Sequence, residues 1–213
     1  MSQIMSKSGL AIVLSGLDGF SEPKVRQEQY IMDSEIGASV LWNAYLLKDI
    51  GEKSIADLGC GTGIIGIGAL LLGAKHVVFV DSDKKALNTV KNNISKIKSE
   101  GYEVGTADFI YKDIKEVSIE QDVVIENPPF GTKTKHKDAV FLEKALKIAP
   151  IIYSFHKSET KAFLRQFAGR NLAEITHIWD YKFPLKHTFG FHKREIHRIN
   201  VSCFRFERKN KVF

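Results

Sequence analysis

Asn127, Pro128, Pro129 and Phe130 follow directly on the apolar run 123–125, in the stretch ENPPFGTK. Two of these four residues cannot donate a backbone hydrogen bond, which is costly at the end of a core strand unless fixed carbonyls are wanted there. The amide oxygen of Asn127 and the carbonyl of Pro128 suit a planar amine. Accepting its two hydrogens favours a pyramidal nitrogen with its lone pair free to attack, and fixed dipoles stabilise the positive charge that grows on it. The locked φ of proline holds such a geometry. Phe130 offers a flat face on which a base can stack, and Gly131 lets the chain bend away. As plain structure, the same residues read as a rigid proline turn.

A second constellation lies upstream, in IADLGCGTGIIGIG over 55–68. Residues 61–66 match the glycine pattern GxGxxG, a weak signal alone. Asp81 ends the next apolar run, where an acid can hold ribose hydroxyls. Both features serve a nicotinamide dinucleotide and S-adenosylmethionine equally. Asp57, two residues before Gly59, favours the second: a carboxylate there repels a pyrophosphate and attracts a cationic amino acid end. No Lys-Ser or Lys-Thr pair closes the loop, which excludes a P-loop. Asp113 ends the third strand-like run, where it would face an adenine amino group; its plain reading is a cap for the next turn.

These residues need a frame. Runs 54–58, 77–80, 109–111, 123–125 and 151–155 are strand-like, and 64–72, 84–97, 139–148 and 159–167 have helical length and periodicity between them. The alternation predicts a doubly wound α/β fold with a mostly parallel sheet. Runs 174–185 and 195–206, with no helix between them, predict a C-terminal antiparallel hairpin closing one sheet edge. A helix is expected over 34–47, with Ser34 as its cap and Glu35 in its first turn, and a shorter one over 8–17. Residues 1–50 therefore read as an N-terminal helical extension contributing to the cofactor site, and 51–213 as the α/β unit, in one compact domain. Ligands of open α/β sheets sit at the carboxyl ends of the strands, so Asn127 should share a crevice with Gly59, Gly61 and Thr62.

At 213 residues, 44% hydrophobic and 26% charged, the composition is that of a globular domain. Cys60 and Cys203 form no framework, which suggests a reducing compartment. The start does not read as a signal peptide, and no apolar run is long enough to span a bilayer, so no membrane partner is expected. The formal net charge of +6 tilts toward a polyanionic partner. Basic residues beside aromatics are the candidates for RNA contact: Lys133, Lys135, His136 and Lys137 after the clamp, then Lys186, His187, Phe189, Phe191, His192, Lys193 and Arg194. His156 and Lys157, ending the fifth strand, join them. No His/Cys cluster has metal-ligand spacing.

Residues 57–63 together with 127–130 resemble the Class I S-adenosylmethionine-dependent amino-methyltransferases. With Glu28, Gln29 and Tyr30, the stretch 153–158, and Phe191, His192 and Lys193, the chain resembles the methyltransferase-like protein 5 family, archaeal members included, from about residue 18 to 206. The resemblance implies a Rossmann-like Class I methyltransferase fold, a cytoplasmic enzyme, and methylation of adenine N6 in small-subunit ribosomal RNA with S-adenosyl-L-methionine as cofactor. It implies that Gln29 and Tyr30 line the methionine end of the cofactor. Asp57, Gly59, Gly61, Thr62, Ile64 and Asn127 would border it, Asp81 would hold its ribose, and Asp113 and Ile114 would face its adenine. Asn127 to Phe130 would hold the target base. In the family the EQY triplet is usually followed by proline and threonine; Ile31 and Met32 stand here, so a hydroxyl contact is missing or comes from elsewhere. Eukaryotic members work with a small zinc-ribbon activator protein. Glutamine-N5 methylation of protein is the alternative chemistry, but that class usually carries tyrosine after the two prolines and a separate helical domain. DNA methylation would need a target-recognition domain, which is not visible. A non-catalytic RNA-binding protein would not need the intact loop and clamp, and a nicotinamide oxidoreductase leaves the asparagine without a task.

Overall fold

A computed structural model gives the structure of the protein and describes residues 4–20, 31–129, 137–185 and 197–209. Two helices, α1 (Lys7–Ser15) and α2 (Ser34–Leu46), precede the alternating core. That core runs β1 (Ser54–Leu58), α3 (Ile64–Leu71), β2 (His76–Asp81), α4 (Lys84–Ser99), β3 (Thr106–Tyr111), β4 (Val123–Glu126), α5 (Lys137–Ile148), β5 (Ile151–Lys157) and α6 (Lys161–Arg170). The long strands β6 (Ala173–Leu185) and β7 (His197–Arg208) close the fold. Seven strands form one sheet in the order β3-β2-β1-β4-β5-β7-β6. The first five are parallel; β7 lies antiparallel to β5, and β6 antiparallel to β7.

Strand periodicity splits the core into two layers. Ile55, Phe79, Ile125, Tyr153 and Phe155 join Leu14, Leu41 and Ile67 on the side of α1 to α4. Ala56, Val78, Val124, Ile152 and Phe204 join Leu142 and Leu164 on the side of α5 and α6. Helix α3 has every residue buried, as expected for a helix wedged between sheet and N-terminal helices. The extension is therefore not an appendage: Leu10, Leu14, Val40 and Leu41 share the central core. Among the described residues no helix is long and apolar enough to cross a membrane.

Two local expectations need correction. Asp33, not Ser34, caps α2: its side chain accepts from the N–H groups of Glu35 and Ile36, and Ser34 is the first helical residue. A carboxylate satisfies the exposed amides of a helix start and also favours its positive dipole end. The sixth helix does not begin at residue 159, because a 3-10 turn over Ser158–Thr160 occupies that place and α6 proper starts at Lys161.

Candidate active site

β1 and β4 are neighbours, with Leu58 opposite Glu126, so the chain leaves both strands side by side at one sheet edge. Gly59 and Asn127 are the first residues beyond those ends. Crowding sets the glycine loop. Gly59 and Gly61 have φ of 67° and 53°. A Cβ on Gly59 would stand 2.9 Å from Phe141 of α5, and one on Gly61 would stand 2.9 Å from Phe20. The Cys60 N–H donates to the carbonyl of Val80 at 3.0 Å, which pins the loop to the end of β2.

Two acids shape this loop from below. Asp81 accepts from the Gly61 N–H through Oδ2 and from the Asp83 N–H through Oδ1, each at 2.8 Å. Burial nevertheless raises its pKa above the usual carboxylate range. Asp57 is buried, and its Oδ2 accepts from the Gly66 N–H at 2.8 Å. Burial pushes Asp57 up to about 7; that bond opposes the rise and the nearby Asp81 charge adds to it. The bare carboxylate expected from the sequence is thus an acid half-protonated near neutrality, which an arriving cation would ionise. Burial likewise drives Cys60 far up, so its sulfur stays a thiol. The two acids beside a loop of left-handed glycines suit a ligand with a cationic end and hydroxyls better than a pyrophosphate.

Asp113 lies two residues past β3, exposed, and its Oδ1 accepts from the Lys115 N–H at 2.9 Å as the cap of a 3-10 turn. Ile114 is buried beside it. Thr62 is buried, and its carbonyl accepts from Asn93 Nδ2 at 3.1 Å. Asn93 of α4 also accepts from the Asp18 N–H at 2.8 Å and donates to the Asp18 carbonyl at 3.0 Å, so one side chain ties the N-terminal segment to the glycine loop. The sequence reading missed it. The signal was present, since Asn93 falls on the helical face of Ala86, Val90 and Ile97, where an apolar residue was due.

At the end of β4, the Asn127 Oδ1 is buried and has no hydrogen-bond partner. Pro128 is buried and Pro129 half-buried beside it. Glu126, to which no role was given, is fully buried; burial pushes it to about 8, against a hydrogen bond from the Ser154 hydroxyl at 2.8 Å. His156 is a correction. It is only 2% exposed, with Nε2 2.8 Å from Ser154 Oγ and Nδ1 3.5 Å from Asp138 Oδ2, so it faces the interior rather than a surface that RNA could touch. Lys157 is half-buried at the strand end, and its carbonyl accepts from the Thr160 hydroxyl. Gln29, Tyr30, Phe130, Lys133, Lys135, Lys186, Phe191, His192, Lys193 and Arg194 lie outside the described residues.

Residues 33–149 match the methyltransferase small domain family. The chain belongs to that family. An uncharacterized protein of Methanocaldococcus jannaschii is 35% identical over 96% of this methyltransferase and 95% of its own length. The rRNA N(6)-adenosine-methyltransferase METTL5 of Danio rerio is 33% identical over 95% of this chain and 99% of its own. The crystal structure of a candidate RNA methyltransferase from Pyrococcus horikoshii superposes with a TM-score of 0.87 at 38% identity, covering 98% of this methyltransferase and all of that chain. More distantly, magnesium protoporphyrin IX methyltransferase from Synechocystis, solved with S-adenosylmethionine bound, shares the fold at a TM-score of 0.65 and 13% identity.

Proposed function

We propose that this methyltransferase transfers the methyl group of S-adenosyl-L-methionine to adenine N6 in ribosomal RNA, in the small subunit. The observation that carries the reading is the buried, unpartnered Asn127 Oδ1 beside the glycine loop. A buried acceptor without a donor costs free energy in the free protein, and a bound amine would supply the missing hydrogen. Asn127 and Pro128 hold the amine, and Phe130 stacks the base. Asp57 attracts the ammonium end of the cofactor, Asp81 holds its ribose, and Asp113 and Ile114 flank its adenine. Gln29 and Tyr30 complete the methionine end from the N-terminal extension, which Asn93 holds against the loop. Burial around the clamp keeps water from competing for the amine hydrogens. The cofactor supplies an electrophilic methyl group; the protein's part is orientation and charge stabilisation.

The enzyme works in the cytoplasm, and a small zinc-ribbon protein is the activator to test with it. Lys133, Lys135, Lys186, Lys193 and Arg194 grip phosphates flanking the target. Reversing the last three charges is expected to weaken RNA binding and flatten its salt dependence, and an unchanged salt slope would reject that assignment. The deciding assay offers labelled methyl donor with ribosomal RNA, DNA and protein as parallel acceptors, with and without a zinc-ribbon partner, followed by digestion to nucleosides. Label in N6-methyladenosine from small-subunit RNA is the expected result. Label only in protein would replace it with glutamine-N5 chemistry.

A further inference from the structure

Four side chains behind the clamp form a chain that the methyl transfer itself does not use. Glu126 is the residue before Asn127, and Asp138 stands in the first turn of α5, so the two bracket the segment 127–137. Ser154 and His156, two apart on one face of β5, lie between them. Ser154 Oγ is 2.8 Å from Glu126 Oε1 and 2.8 Å from His156 Nε2, and His156 Nδ1 is 3.5 Å from Asp138 Oδ2. We infer that Glu126, Ser154, His156 and Asp138 form a positioning relay that ties the end of β4, and with it Asn127, to the first turn of α5; the effect on catalysis rests on the methyl-transfer reading above.

Three observations support it. First, the surroundings are apolar: Leu142, Leu146 and Phe204 fill this layer, and the Phe204 ring stands edge-on to His156 at 5.9 Å. Packing alone asks for apolar residues here. Second, the chain is only partly satisfied. Glu126 Oε2 and His156 Nδ1 have no hydrogen bond, and neither has Oδ1 of the next residue, Asn127. A half-satisfied buried network lowers stability relative to an apolar core, a pattern that marks a site rather than packing. Third, one hydroxyl joins the two halves of the chain: Ser154 Oγ donates to Glu126 Oε1 and stands within hydrogen-bond distance of His156 Nε2. Burial pushes Glu126 to about 8, which favours the neutral acid at neutral pH, and contact with His156 lowers the pKa of Asp138. The charge of Asp138 also opposes ionisation of Glu126.

Ser154→Ala cuts the relay at its middle, and Glu126→Gln keeps its volume while removing the titration. In Ser154→Ala, kcat is expected to fall about 10–100-fold as the clamp loses its alignment. The affinity for S-adenosylmethionine, measured by calorimetry, should stay within about twofold, since Asp57, Asp81 and the glycine loop are left untouched. Wild-type turnover should decline as pH rises through about 8, when a charge appears behind the clamp, and Glu126→Gln should lack that decline. Amide exchange in the free, full-length protein gives a readout independent of activity. Exchange at Asn127 and Ala139 should quicken about tenfold or more in Ser154→Ala, with β1 to β3 unchanged. Unchanged exchange in both variants would overturn the relay, as would a uniform acceleration across the sheet. If the wild type methylates no adenine, the proposed function fails and the exchange result alone decides the relay.

Discussion

Tyr153 and Phe155 face one side of β5, Ser154 and His156 the other, and the two sides treat buried polarity in opposite ways. On the first side the Tyr153 hydroxyl donates to Asp49 Oδ2 at 2.6 Å, and Arg205 Nε donates to the same oxygen at 2.8 Å. Arg205 Nη1 then donates to Thr176 and Glu207. No buried polar atom of this cluster is left without a partner. It joins the loop before β1 to β5 and β7, and Trp179 stacks on Tyr153 at 6.0 Å. On the second side, Glu126 Oε2 and His156 Nδ1 are buried and unbonded, as is Asn127 Oδ1 just past the end of β4. A closed network fixes the fold; an open one waits for a ligand or holds something that binds one.

Four measurements would break or sharpen this contrast. Arg205→Ala should destabilise the protein most, by roughly 3 kcal/mol or more, because the buried Asp49 loses its guanidinium partner. Urea unfolding would show it, and activity per folded molecule should not change; lost activity at full folding would blur the two sides. Asn127→Ala should slow methyl transfer by about 10²–10³-fold, equivalent to about 3–4 kcal/mol in the barrier, with stability nearly unaltered. Single-turnover kinetics beside cofactor calorimetry separates those readings, and a large loss of cofactor affinity would count against the clamp. Glu126 has a folded pKa raised from 4.5 to about 8. Its stabilising contribution is therefore complete below about 4.5 and is lost as pH rises toward 8 and through it. Unfolding at pH 9 should show Glu126→Gln more stable than the wild type by on the order of 1–3 kcal/mol, with the gap closing toward pH 5. The smallest effect belongs to the surface. Lys161 and Asp180 pair at 2.8 Å but are exposed, so Lys161→Ala should cost under about 1 kcal/mol, less in high salt.

Much of this architecture was legible in the sequence, for local reasons. The apolar runs of β1, β2, β4 and β5 are continuous because each strand is buried on both faces, and the helices between them keep a 3.6-residue period. The glycine pattern between strand and helix was legible as a loop, and φ is positive at Gly59, Gly61 and Gly63. The placing of Asn127 beside the glycine loop followed from strand order in a doubly wound sheet. What failed was directional. His156 was given to the surface because it ends a strand at the ligand edge, yet strand alternation turns it inward under α5. Asp57 was read as a free anion, although its carboxylate lies under the start of α3. Asn93 was passed over because nothing near it in sequence needs an amide; its partners are 75 and 31 residues away.

By itself the sequence determined the fold class and that the glycine loop and Asn127 follow strands of one sheet. Periodicity, glycine spacing and the locked φ of proline are properties of neighbours along the chain. Only the tertiary structure decided which charges survive. A pKa depends on how much water is removed and on which groups arrive from elsewhere, and for Asp57 and Glu126 burial outweighs every local hydrogen bond. It also decided which buried atoms go unpaired, since a missing partner is a fact about space that no stretch of residues contains.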